Sequence, residues 1–291
     1  MKIFVTGATG WVGSAIVRDC LEHGHAVAGL TRSESKAIAL SERGATVVRG
    51  TLDDLDVLRD AAASADAVIH TAFNHDFSNF AASCEQDARA IQALGEALAG
   101  TDRPLLVTDG IPASNIGEVT SETDPASDAT PRRSEAAAAQ VTEMGVRASV
   151  VRLPPSVHGV GETHAFLPIL IRLARESNVS AYVDDGINRW SGVHRQDAAR
   201  VYRLALESGL QQRIYHAVAE QGVTIKQIAE VIGRRLDLTV ASRPREHFGW
   251  FAGFASANRA ASSALTRQTL QWQPTGPGLL EDLDDLGYYE L

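Results

Sequence analysis

The first half of the chain alternates short apolar runs with stretches of helical period, and the two patterns predict strands and helices in regular succession. KIFVT (2–6) is apolar along its length and predicts a strand covered on both faces. Residues 14–23 predict a helix closed by Gly24, and HAVAGL (25–30) a second strand. Residues 33–43 predict a helix with Ser33 as its N-cap and Gly44 at its end. A strand at 45–50, a helix at 53–63, a strand at 66–72, a long helix at 77–99 and a strand at 104–109 follow. Residues 110–130 are rich in Ser, Thr, Asp and Pro and predict a loop. A helix at 134–144 and a strand at 146–153 complete the series, and IYHAVA (214–219) predicts one further strand of the same sheet.

This rhythm predicts an α/β fold, a doubly wound parallel sheet with helices on both faces. Beyond Pro154-Pro155 the alternation loosens and aromatic residues become more frequent. Residues 1–160 with 193–220 are expected to form the sheet domain. Residues 161–192 with 221–291 are expected to form a smaller C-terminal lobe over the strands' carboxyl ends, where such folds place ligands.

Composition narrows the function classes. The 291 residues are 44% hydrophobic and 22% charged, ordinary for a globular chain. No run approaches the roughly 20 apolar residues of a membrane span, and the Gly-rich N-terminus does not read as a signal peptide. The net charge of −9, with no basic run, argues against a nucleic-acid partner. Cys20 and Cys84 are isolated, as expected of a reduced cytoplasmic protein. The nine histidines show no metal-ligand spacing, and no GxSxG elbow is present.

The first strand runs into TGATGWVG, with Gly7, Gly10 and Gly13 ahead of a helix. Glycines there let the backbone turn tightly against a pyrophosphate, which the N–H groups at the helix start then meet. Thr9, Trp11 and Val12 fill the same turn. Eighteen residues after Gly13, where an acid would hold a ribose 2′-hydroxyl, stands Thr31, followed by Arg32 and Ser33. A guanidinium and a hydroxyl suit a 2′-phosphate, so NADP(H) is expected in preference to NAD(H). Leu52 and Asp53 follow the third strand. Asp53 is placed either to accept from the adenine amino group or to cap the next helix.

The glycine spacing, HTA after the fourth strand and VRLPPSVHG after the sixth together resemble the extended short-chain dehydrogenase/reductase superfamily. GRRL and WQPT, nearer the C-terminus, fit looser patterns of the same group. The resemblance covers nearly the whole chain and implies a Rossmann-type domain, a C-terminal substrate lobe and NAD(P) chemistry on a carbonyl, alcohol or nucleotide-sugar. It implies that Thr71, Ala72 and Phe73 line the nicotinamide ribose, that Pro154, Pro155 and Ser156 border the nicotinamide amide, and that Thr108 lies near the catalytic Ser/Thr position.

The chain departs from the superfamily at PRRSEAAAAQ (131–140), where Tyr-x-x-x-Lys is expected. Tyrosine occurs only at 182, 202, 215, 288 and 289, none with a lysine four residues on. The three lysines, Lys2, Lys36 and Lys226, all lie elsewhere. The usual proton donor is therefore missing. Candidates to replace it are Thr108, His75, His158 and a water molecule, histidine because it titrates near neutral pH. Asn74, His164, Trp190 and Trp250 are expected to face the substrate, and the cluster HFGWF (247–251) with Phe254 forms either an apolar pocket or lobe core. Arg132 and Arg133 either clamp a ligand or lie solvated at a helix start, where the charge of Glu135 favours the N-terminus.

The expected function is NADPH-dependent reduction of a small, largely apolar ketone or aldehyde by a monomer or homodimer. The alternatives are a non-catalytic NADP(H)-binding redox sensor and, against the loss of the tyrosine, a nucleotide-sugar epimerase or dehydratase. The Arg32 assignment is tested by Arg32→Asp, which should weaken NADPH binding at least about tenfold more than NADH binding. Equal losses for the two would remove the 2′-phosphate role.

Overall fold

The computed structural model describes residues 1–126, 131–163 and 165–290. It opens with β1 (Lys2–Thr6), α1 (Trp11–Glu22), β2 (Ala26–Thr31), α2 (Glu34–Glu42), β3 (Thr46–Arg49), α3 (Leu55–Ala63) and β4 (Ala67–His70). Next come α4 (Phe80–Leu98), β5 (Leu105–Gly110), α5 (Ser134–Glu143), β6 (Ala148–Leu153), β7 (Ser156–His158), α6 (Phe166–Ser177), β8 (Val179–Val183) and β9 (Arg189–His194). The chain continues through α7 (Arg195–Glu207), β10 (Ile214–His216), β11 (Glu220–Thr224), α8 (Ile225–Leu236) and β12 (Thr239–Arg243). It ends with α9 (Ala252–Ala255), α10 (Ala264–Leu270) and α11 (Leu279–Leu283).

Seven parallel strands form the main sheet in the order β10-β6-β5-β4-β1-β2-β3. The order in which strands are added reverses between β1 and β4, the place where such sheets open a crevice beyond the strands' carboxyl ends. The strands' apolar positions divide between two cores. One face, carrying Ile3, Val5, Ile69 and Leu106, packs with residues of α1, α2 and α7. The other, carrying Phe4, Val68, Leu105 and Val107, packs with α3, α4 and α5. Period-two alternation along each strand puts successive side chains into opposite cores.

Two elements differ from the sequence expectation for local reasons. α1 begins at Trp11 because Gly10 takes the N-cap in extended conformation, with φ −80° and ψ 179°. The long helix begins late because Asp76 accepts from the Ser78 N–H to start a 3₁₀ turn over 77–79, which Asn79 (φ −132°, ψ 49°) separates from α4. Of the strand expected at 214–219, residues 214–216 form β10, paired with β6 at the sheet edge.

The remaining residues build a three-stranded sheet, β11-β9-β7, and a parallel pair, β8 and β12. Leu167, Ile171, Trp190, Ile225, Ile232, Phe251 and Leu283 belong to a third core here. Among the described residues no helix is long and apolar enough to cross a membrane.

The 3₁₀ turn at 286–288 straps the C-terminus onto the loop after β7. The Tyr288 hydroxyl accepts from the Gly159 N–H (2.6 Å) and donates to Glu162 Oε2 (3.0 Å). Glu162 is buried, and its Oε1 has no protein partner among the described residues. Burial pushes its carboxyl up to about 8, the Tyr288 bond opposing this only in part. The folded state therefore holds a proton that the unfolded chain releases near 4.5. Stability from this group is full below pH 4.5, falls as pH rises toward about 8 and is level above it. The loss across that window should be on the order of 2–5 kcal/mol. In urea denaturation at several pH values, Glu162→Gln should flatten the decline. A slope unchanged by the substitution would show that another group causes it.

Candidate active site

Three loops meet at the carboxyl ends of β1, β4 and β5. The first is the glycine turn. Gly7 has φ +66°, and a Cβ there would lie 2.7 Å from both Ala72 N and Thr71 Oγ1. A Cβ on Gly13 would lie 2.1 Å from Gly7 O, so the turn can pass under the helix only with glycine at both places. No side chain caps α1. Its leading N–H groups are therefore left for an anion, and the turn fits a phosphate. Trp11 lends only its backbone to this cradle. Its indole N–H donates to Val157 O (2.6 Å), and the Arg195 guanidinium lies 3.9 Å over its ring. Val12 packs against the core beneath, and Thr9 is half-buried in the turn.

Arg32 is exposed beyond β2 and makes no ion pair among the described residues. The Ser33 hydroxyl caps α2, accepting weakly from Lys36 N (3.5 Å) and meeting Ser35 Oγ at 3.1 Å. Leu52 packs on the α3 side. Asp53 is exposed and accepts from Gln86 Nε2 on α4 (2.6 Å), and the N-cap position of α3 belongs to Asp54.

The second loop follows β4. The Thr71 hydroxyl donates to Thr6 O (2.8 Å), joining the ends of β1 and β4, and Ala72 N donates to Thr6 Oγ1 (3.3 Å). Phe73 then begins an aromatic wall. Its ring meets His75 at 5.2 Å and Phe80 at 5.9 Å. Phe77 stacks on Trp250 at 5.0 Å and 25°, with Phe254 edge-on at 5.7 Å. Asn74 and His75 are exposed beside this wall. Packing of its ring against Phe73 and Phe77, then the Arg132 charge, hold the His75 imidazole below its ordinary range, although the residue keeps an open edge.

The HFGWF cluster divides. Phe248 and Phe251 are core, whereas Trp250 is 57% exposed and joins the wall. Trp190 corrects the expectation of a substrate contact. It is fully buried among Phe166 and Phe251, its indole N–H directed at Phe254 O (3.3 Å), so it has no surface to offer. His164 lies outside the described residues.

The third loop joins β5 to α5, where the tyrosine and lysine are missing. Arg132 is held by Ser134 Oγ (2.7 Å from Nε), Thr108 O (3.2 Å from Nη2) and Asp109 Oδ1 (3.4 Å), and its guanidinium lies 3.9 Å over Phe73. It is an anchored cation rather than a solvated one. Arg133 is exposed. Glu135 is not a free helix-terminus charge. It takes both Nε (3.0 Å) and Nη2 (2.9 Å) of the buried Arg152. Burial raises the Asp109 carboxyl, against the pull of Arg132 and of the Gly110 and Glu135 N–H groups.

Behind Arg132 runs a buried chain that the sequence did not reveal. Ser134 Oγ donates to Asp87 Oδ2 (2.5 Å), His70 Nε2 lies 3.0 Å from Asp87 Oδ1, and His70 Nδ1 lies 2.8 Å from Thr6 Oγ1. The only local sign of it was a lone acid, Asp87, on the apolar face of the long helix. Burial alone would raise the Asp87 carboxyl; the His70 hydrogen bond and charge, with Arg132 and Ser134, outweigh it and hold the group low.

The end of β6 borders the same crevice. Pro154 is buried, and the Ser156 hydroxyl is buried without a protein partner. His158 is fully buried two residues further on. Its Nδ1 is 2.7 Å from Asp282 Oδ2, and it packs beside His194 at 5.9 Å. Its Nδ1 ties it to α11, and its Nε2 is buried without a hydrogen-bond partner among the described residues. Thr108 is half-buried at the end of β5, with its hydroxyl 2.9 Å from the Tyr202 hydroxyl. Among the described residues no group of His, Cys, Asp and Glu is arranged to hold a metal.

The model of the NmrA-like family matches residues 1–97. An uncharacterized protein of Schizosaccharomyces pombe is 48% identical over 99% of this chain and 100% of its own length. An uncharacterized protein of Saccharomyces cerevisiae is 41% identical over 97% of this chain and 98% of its own. More distant is a farnesyl-dihydroquinoline-oxide ketoreductase of Stigmatella aurantiaca, 27% identical over 74% of this chain and 67% of its own. Among solved structures, UDP-glucose 4-epimerase of Thermotoga maritima with UDP-glucose superposes with a TM-score of 0.78 at 18% identity, covering 100% of this chain and 99% of that one. A dTDP-glucose 4,6-dehydratase of Streptomyces venezuelae with NAD bound gives 0.80 at 18% identity, covering 100% and 97%. These structural likenesses describe the fold.

The buried chain generates a stability test. In Asp87→Asn one oxygen becomes a donor and confronts either His70 or Ser134, so urea denaturation should show a loss of about 1–3 kcal/mol. The lowered carboxyl makes the unaltered protein lose this contribution as pH falls below the ordinary 3.8, and the variant should lack that component of the acid slope. A variant as stable as the parent would show the chain to be energetically idle.

Proposed function

Because the chain belongs to the extended short-chain dehydrogenase/reductase superfamily, we propose that it is an NADPH-dependent reductase of a small, largely apolar ketone or aldehyde. The observation that carries this reading is a juxtaposition. A phosphate-shaped glycine turn, a half-buried hydroxyl at Thr108 and an aromatic wall open on one crevice. The relative described as a ketoreductase supports the same class of chemistry.

In this reading the pyrophosphate lies on the glycine turn and the N–H groups of Trp11, Val12 and Gly13. Arg32 meets the 2′-phosphate, and Thr71, Ala72, Phe73, Pro154 and Ser156 border the nicotinamide end. When bound, the nicotinamide supplies a hydride. The protein's own work is to orient the carbonyl, exclude water from its apolar side and stabilise charge on its oxygen. Phe73, Phe77, Phe80 and Trp250 accept the apolar part of the substrate. Thr108 donates a hydrogen bond to the carbonyl oxygen, and Arg132, fixed beside it by Ser134 and Asp109, borders the same place. The His75 imidazole is held low and is therefore largely uncharged at neutral pH, so it serves the wall rather than the proton. Water completes the alcohol.

The missing tyrosine and lysine favour a second reading, a module that binds NADP(H) without turnover. Incubation with NADPH and a panel of aryl and alkyl ketones, following loss of NADPH absorbance, separates the two. We expect turnover with aryl ketones, a kcat within about threefold for His75→Phe, and a loss of about 10²-fold for Thr108→Val at unchanged NADPH affinity. Tight NADPH binding with no turnover of any ketone or aldehyde would replace the reductase reading with the binding module.

A further inference from the structure

The Thr108 hydroxyl has a partner 94 residues away in the chain. Tyr202 stands in the middle of α7 with no exposed surface, in the core that also contains Leu106, Val151 and Ala198. Among the described residues its hydroxyl meets one polar atom, Thr108 Oγ1, at 2.9 Å. Distance alone leaves open which hydroxyl donates, but burial decides it. If Thr108 donated, the phenolic hydrogen would be sealed in an apolar core with no acceptor. If Tyr202 donates, its hydrogen is satisfied and Thr108 keeps its own hydrogen for another acceptor. Thr108 is the partner with surface left, because it stands at the carboxyl end of β5, next to the Asp109 that Arg132 grips.

We propose that Tyr202 is a positioning residue that fixes the Thr108 hydroxyl as an acceptor on its inner side, so that its hydrogen points into the crevice toward the substrate's carbonyl oxygen. The inference rests on the reductase reading above. A tyrosine thus returns to the reaction from the opposite face of the sheet, one residue removed from the substrate. It orients and does not donate a proton to the product, since burial pushes its phenol far above the ordinary range. The balance is simple. The carbonyl carbon would gain the hydride that NADPH supplies on becoming NADP+, its oxygen would gain a proton from water, the hydroxide left would pass to solvent, and Thr108 and Tyr202 would end the cycle as they began it.

Two measurements test this. In steady-state kinetics, Tyr202→Phe keeps the ring and removes the donor. It should lower kcat about 10-fold while the carbonyl KM and NADPH Kd stay within about twofold. Thr108→Ser should retain most of the activity, and Tyr202→Phe added to Thr108→Val should cost no further rate. An unchanged kcat in Tyr202→Phe, or losses that multiply in the double variant, would overturn the proposal.

A urea-denaturation cycle over the same variants reads the bond without turnover. Thr108→Val strands the buried phenolic hydrogen, so its midpoint should fall, and adding Tyr202→Phe should restore part of the fall. A double variant showing the sum of both single losses would overturn the proposal whatever the kinetics. Coupled midpoints in a protein that binds NADPH but reduces no carbonyl would instead overturn the reductase reading and leave the Tyr202–Thr108 bond standing.

Discussion

A carboxylate that is almost fully removed from water must be paired on both oxygens or cost several kcal/mol. Asp87 meets that demand by drawing four segments together. His70 ends β4, Ser134 begins α5, Thr6 ends β1, and Asp87 itself projects from α4. The pairing therefore fixes how far each strand end stands from the next, and it sets the first turn of α5 where Arg132 reaches Phe73 and Asp109. The crevice is open, but its floor is tied from beneath by hydrogen bonds that solvent does not reach.

This arrangement changes the meaning of the missing tyrosine and lysine. α5 keeps its place, and its first turn still carries a cation at the end of β5, anchored by Ser134 and Asp109 rather than free to swing. In the proposed reading hydrogen-bond donation comes instead from Thr108 on β5, where backbone geometry holds the hydroxyl.

What the sequence made legible was local. The glycine turn, the strand–helix rhythm and the return of residues 214–216 to the sheet edge follow from patterns a few residues long. The His70–Asp87 pair spans 17 residues and the Thr108–Tyr202 pair 94, and no local pattern encodes either. Trp190 and Trp250 read alike as aromatic residues of the C-terminal segments. Only tertiary packing separates them, one sealed between Phe166 and Phe251, the other stacked in the open on Phe77. Arg132 looked solvated because its restraints come from β5 and from the aromatic ring after β4.

β10 lies beside β6 although β7, α6, β8, β9 and α7 separate them in sequence. The protein thus cannot be divided into an early half that folds and a late half that is added. A chain stopped after β6 would leave an unpaired parallel edge, an empty slot where Tyr215 fills the core, and a Thr108 hydroxyl with nothing behind it. During synthesis the crevice must therefore wait. Its glycine turn emerges first, but Tyr202, the partner of the Thr108 hydroxyl, arrives only when more than two thirds of the chain has been made.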